Sequence, residues 1–71
     1  TTIEFGLPAT QKVLVEIFDI NGRKIATLIH KRLKAGVRRI TWNGASEASG
    51  VYICRINAGS KVVSKRLILI K

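Results

Sequence analysis

Lys12-Val-Leu-Val-Glu-Ile-Phe-Asp-Ile-Asn-Gly-Arg23 is the most regular passage of the chain. Over residues 12–19, Val13, Val15 and Ile17 fall on one face and Leu14, Glu16 and Phe18 on the other, the two-residue alternation of a β-strand. Asn21-Gly22 interrupts the run. Both residue types accept positive φ, so Asn-Gly between two apolar runs predicts a β-hairpin. Its return strand is expected over residues 23–30, carrying Ile25, Leu28 and Ile29. Asp19 abuts the turn, where a carboxylate commonly accepts backbone hydrogen bonds, so its expected role is to hold the turn.

Similar short runs continue on both sides of this hairpin, separated by turn signals every eight to twelve residues or so. Residues 3–7 form a first strand closed by Pro8, and residues 31–36 a basic loop with a turn at Ala35-Gly36. Residues 37–43 alternate cleanly, with Arg38, Ile40 and Trp42 on one face and Val37, Arg39 and Thr41 on the other. Residues 44–49 make a small-residue loop. The last two strands are expected over 50–58, with Tyr52, Cys54 and Ile56 on one side, and 61–71. The short connections exclude parallel crossovers and predict antiparallel meander or Greek-key pairing. Trp42 is read as a core anchor, with Phe5, Phe18 and Tyr52 as the other core aromatics.

At 71 residues the chain has room for a single domain, 1–71. A core of that size supplies only about 3–5 kcal/mol without staples. Cys54 is the only cysteine and sits among Val51, Tyr52, Ile53 and Ile56, so it reads as a buried small apolar residue. With His30 the only imidazole, no zinc-type cluster is expected, nor any other metal or cofactor. The four acids, Glu4, Glu16, Asp19 and Glu47, suggest no catalytic pair, and the glycines are scattered at turns rather than gathered in a phosphate loop. No enzyme is expected. The absence of Met points to a piece of a longer polypeptide with Thr1 at a domain boundary, and no apolar run approaches the ~18 residues that span a bilayer.

Thirteen Lys and Arg against four Asp and Glu give a net charge of +9, which favours anionic partners. The cations are spread along the chain as on solvated strand faces. Nucleic acid is not expected, because a stacking surface needs exposed aromatics and these occupy core-like positions. Residues 61–71 stand apart: Val63, Lys65, Leu67, Leu69 and Lys71 form one face and Val62, Ser64, Arg66, Ile68 and Ile70 the other, so the end is apolar on both. A strand of that kind must be covered on both sides or pair with something else.

Several anchors fall in a recognisable order: Phe5-Gly6-Leu7-Pro8, the run from Val15 to Arg23, Leu28, Ala35-Gly36, Trp42-Asn43-Gly44, Ala48-Ser49-Gly50-Val51-Tyr52, Arg55, and the basic-apolar ending from Lys65 to Lys71. The set spans essentially the whole chain. It resembles the C-terminal sorting domain of the type IX (Por) secretion system, and is similar to the immunoglobulin-like domain of the flagellar hook-capping protein. Two departures stand out: the loop between Gly44 and Ala48 is short for the family, and Cys54 occupies a commonly aromatic position.

The resemblance implies a small immunoglobulin-like antiparallel β-sandwich of six to seven strands. It implies a non-catalytic module that directs a cargo protein through the periplasm and outer membrane of Bacteroidota-type bacteria to the cell surface. The implied partners are the secretion machinery, a sortase-like enzyme and an anionic lipopolysaccharide. Lys65, Arg66, Leu67, Ile68, Leu69, Ile70 and Lys71 are expected to carry recognition, and Asp19, Asn21, Gly22, Trp42, Gly44, Gly50, Val51 and Tyr52 to define the fold. Two alternatives stand beside this reading. One is a structural subunit that self-associates through its edge strands into a surface assembly or filament. The other is an adhesion or glycan-binding accessory module.

Overall fold

The computed structural model describes residues 1–70 and is all-β. Six strands form two antiparallel sheets: β1 (Thr2–Leu7), β2 (Gln11–Asp19), β3 (Lys24–Leu33), β4 (Gly36–Thr41), β5 (Gly50–Ala58) and β6 (Lys61–Leu69). The larger sheet runs β3-β2-β5-β6 and the smaller is the pair β1-β4. Two hairpins, β2–β3 and β5–β6, therefore lie side by side through β2 and β5, while β1 pairs across the sequence with β4. The result is a small β-sandwich of six strands.

Alternation sets which side chains meet between the sheets. On β2, Val13, Val15 and Ile17 are buried, and on β5 so are Tyr52, Cys54 and Ile56. Register places Val15 against Ile56 and Ile17 against Cys54, at the centre of the larger sheet. Ile3, Phe5 and Leu7 of β1 close over them from the smaller sheet, and Trp42 and Leu67 complete the core. Each of the Val, Ile, Leu and Phe side chains among them contributes about 1.5–3 kcal/mol on burial. Burial raises the thiol pKa of Cys54, which leaves it protonated and inert as expected of a core residue. Trp42 is buried as anticipated, but Phe18 is a correction to the expected aromatic core. It lies on the outer face of β2, half-buried, with the Arg55 guanidinium 4.6 Å from its ring centre.

The return strand departs from simple alternation for a visible reason. Register shifts between Val15 and Glu16 and between Ile17 and Phe18 leave Leu28 and Ile25 without direct partners on β2. These bulges let Ile25, Ala26, Leu28 and Ile29 all pack against the core. The strand also runs further than expected, to Leu33, so Lys31 and Arg32 belong to β3 and not to a loop. A strand at the edge of a sheet accommodates charged side chains readily, since its flank faces water.

The hairpin forms where Asn21-Gly22 places it, with a longer loop than a two-residue turn. Gly22 N–H donates to the Asp19 carbonyl at 3.0 Å, and within this loop Gly22, at φ 85°, takes positive φ while Asn21 does not. This is a turn followed by a left-handed glycine, the three-residue hairpin arrangement. The Asp19 carboxylate accepts from the backbone N–H groups of Asn21 and Arg23 at 3.0 and 2.9 Å and from Arg23 Nε at 3.1 Å. The hydrogen bond from Arg23 N–H leads the effects that hold the Asp19 pKa below its ordinary value. A depressed carboxylate stabilises the fold above its unfolded pKa, and that contribution is lost as pH falls through the folded value. Asp19→Asn should therefore be less stable than the parent at neutral pH and converge with it in acid. Urea midpoints taken from about pH 6 down to about pH 2 would check this.

Candidate functional site

β6 is the edge strand of the larger sheet, paired on one side with β5 alone. Its register, Tyr52 with Leu67, Cys54 with Lys65 and Ile56 with Val63, turns Lys61, Val63, Lys65, Leu67 and Leu69 toward the smaller sheet. Val62, Ser64, Arg66 and Ile68 take the opposite, solvent-facing side. The two sets end very differently. Leu67 is buried and Leu69 packs against the core, whereas Ile68 is 61% exposed and Ile70 84%.

The anchor beneath the end of β6 is built from the glycine-rich motifs. Trp42 and Tyr52 stack edge to face with ring centres 5.0 Å apart. Tyr52 Oη donates to the Ala48 carbonyl, which ties the loop before β5 back onto the strand. This resembles the tyrosine corner that closes loops in β-sandwiches. Gly44 lies under Leu69, where a Cβ would come within 2.8 Å of Leu69 Cδ2 and 3.4 Å of the Trp42 ring. Leu69 can approach position 44 this closely because that position has no side chain. Gly50 pairs with Leu69 and Val51 with Ile68, so the Gly50-Val51-Tyr52 segment is the strip on which β6 terminates.

The seven residues expected to carry recognition thus fall into distinct environments. Leu67 and Leu69 are committed to packing, while Arg66, Ile68 and Ile70 project outward. Lys65 turns the other way, reaching across the gap between the sheets to donate its Nζ to the Glu4 carbonyl of β1 at 2.6 Å. Lys71 lies outside the described residues. On the outer face of the sheet, Val51 and Ile53 lie half-buried beside Ile68 and Arg66, their register partners, and Phe18 lies beyond under Arg55. The tail therefore continues an apolar, cation-edged strip across the sheet. Alternation alone could not have assigned that strip, because both faces of residues 61–71 look apolar in the sequence.

Other chemistry is sparse. His30 is exposed, and among the described residues no three His, Cys, Asp or Glu side chains come together as they would around a metal ion. The ion pairs Arg39–Glu4 at 2.7 Å and Lys24–Glu16 at 3.4 Å tie neighbouring strands. Surface pairs of this kind contribute about 0–1 kcal/mol each. Among the described residues no helix is long and apolar enough to cross a membrane.

By its fold the chain is a small β-sandwich whose last described strand forms an open sheet edge. The family model described as the secretion system C-terminal sorting domain matches residues 1–71, and the chain belongs to that family, the sorting domains of type IX secretion. Neither a curated protein nor a solved structure matches it. Membership makes it a C-terminal sorting signal that interacts with the secretion machinery, and a part of a protein that is secreted or anchored at the cell surface. The family is non-catalytic in general.

Proposed function

We propose that residues 1–71 act as one sorting unit and that the secretion machinery recognises it through the outward face and free edge of β6. The observation that carries this reading is the division of labour along the last turns of the chain. Leu67 and Leu69 fix the strand to the core while Ile68 and Ile70 stay largely in water, flanked by Arg66. An edge strand in this state offers a receptor main-chain hydrogen bonds for affinity and alternate side chains for register. The sortase-like enzyme and anionic lipopolysaccharide implied by the resemblance fit downstream of that step, as agents that act on cargo already selected.

Fusing residues 1–71 to the C-terminus of a periplasmic reporter in a type IX-competent host tests the reading. The reporter is expected outside the cell in that host and inside in a secretion-deficient one. Retention in both hosts would overturn it.

The same exposed edge favours a second reading, self-association by strand pairing between copies. Sedimentation would then show mass rising with concentration, and a strict monomer throughout would remove it.

A further inference from the structure

On the side of the sandwich where β1 faces β6, the two sheets part. The resulting cleft, about 420 Å³, has Phe5, Leu7 and Ile56 along its floor, Val63 on its wall, and Lys61 and Lys65 at its lip. Val63 points toward the smaller sheet yet is 47% exposed, because β1 leaves it uncovered.

The flank of β1 along this gap is an unpaired strand edge. Trp42 N–H donates to the Thr1 carbonyl at 2.8 Å and the Thr1 amine to the Trp42 carbonyl at 3.4 Å, which makes Thr1–Trp42 a hydrogen-bonded rung. Antiparallel rungs alternate, so Ile3, Phe5 and Leu7 bond to β4, and Thr2, Glu4 and Gly6 aim their main-chain groups away from it. The bond from Lys65 to the Glu4 carbonyl independently fixes that direction.

We propose that this cleft binds an extended acidic peptide segment, which adds to β1 as a third strand of the smaller sheet. Lys61, Val63 and Lys65 lie two residues apart on one face of β6, a span of about 13 Å from the first lysine to the second. A segment with carboxylates at positions i and i+4 and an apolar residue at i+2 matches that row. The pattern is the same in either chain direction. Among the described residues neither lysine forms an ion pair, and as the peptide's amide takes the Glu4 carbonyl, Lys65 Nζ turns from that carbonyl to a peptide carboxylate. A peptide satisfies the β1 edge with its own amides; a lipid headgroup or polyphosphate offers no main-chain ladder. This surface is separate from the outward face of the tail, and the two readings fail independently.

The test is an NMR titration of the ¹⁵N-labelled 71-residue chain with a blocked heptapeptide. The peptide carries glutamate at its second and sixth positions, valine at its fourth and threonine elsewhere. Saturable shifts are expected at the amides of Thr2, Glu4, Gly6 and Val63. N-methylating alternate peptide amides, or replacing the glutamates by lysine, should weaken binding by about tenfold or more. Lys61→Glu, which leaves Lys65 unaltered, should weaken it similarly. Binding indifferent to N-methylation, shifts centred on Val51, Ile53 and Ile68, or no saturation would overturn the proposal. So would vesicles of anionic phospholipid that produce the same shifts at Thr2, Glu4 and Gly6.

Discussion

Replacing Ile17 by alanine should leave much of the population unfolded at 25 °C. Ile17 is fully buried on the central strand β2, between Ala26 of β3 and Cys54 of β5 in register, so the cavity left behind is enclosed on both sides. Truncation of a buried isoleucine costs about 2–5 kcal/mol. An unstapled domain of this size has only about 3–5 kcal/mol in total. Thermal unfolding followed by circular dichroism should show a fall of at least about 10 °C, or no folded baseline. Ile20, at 75% exposure beside the same turn, is the internal control. Ile20→Ala should stay within about 0.5 kcal/mol of the parent. An Ile17→Ala protein with an unchanged midpoint would show that the core is not where the sheets meet.

Trp42→Ala should cost about as much, roughly 3–5 kcal/mol, and its damage should reach the end of the chain. Trp42 is buried, stacks edge to face on Tyr52, and borders Gly44, the residue next to Leu69. Removing the indole takes away the ring that backs Tyr52, the register partner of Leu67, and that borders Gly44 next to Leu69. Hydrogen exchange measured where the variant is still mostly folded should show Leu67 and Leu69 losing protection before Val15 and Ile56. Trp42→Phe should recover part of both effects, because it keeps a ring against Tyr52. Uniform loss of protection across the molecule would mean that the tail is held by β5 pairing alone.

How far the sequence could be read follows from what period-2 alternation encodes. It separates the two faces of a strand, so the buried Val13, Val15 and Ile17 and the buried Tyr52, Cys54 and Ile56 were visible before any coordinates. It does not name a strand's partner, and the pairing of β1 with β4 joins residues 29 to 39 positions apart with no local turn to announce it. Nor does it survive a bulge. Ile25, Ala26, Leu28 and Ile29 reach the core only because β3 gains extra residues against β2. Phe18 looks like core because aromatics are few in so small a protein, yet the outer face of β2 shelters it under Arg55 instead.

The candidate site was legible as a place but not as a surface. Residues 65–71 stand out in the sequence because both faces are apolar, and only β5 register tells the anchoring leucines from the outward Arg66 and Ile68. The family order of motifs located the element, and the glycine at position 44 explains in part how it docks.

The outward face of β6 can be altered without touching its anchors, and that provides the most direct measurement. A reporter fused to residues 1–71 would carry Arg66→Glu, Ile68→Thr and Ile70→Thr together, with Leu67 and Leu69 intact. The purified variant should keep the parent's circular dichroism and unfold within a few degrees of it. In a type IX-competent host its extracellular fraction should fall at least about tenfold relative to the parent fusion, with the missing protein recovered from the periplasm. Secretion at the parent level by this folded variant would contradict recognition through the outward face of the tail.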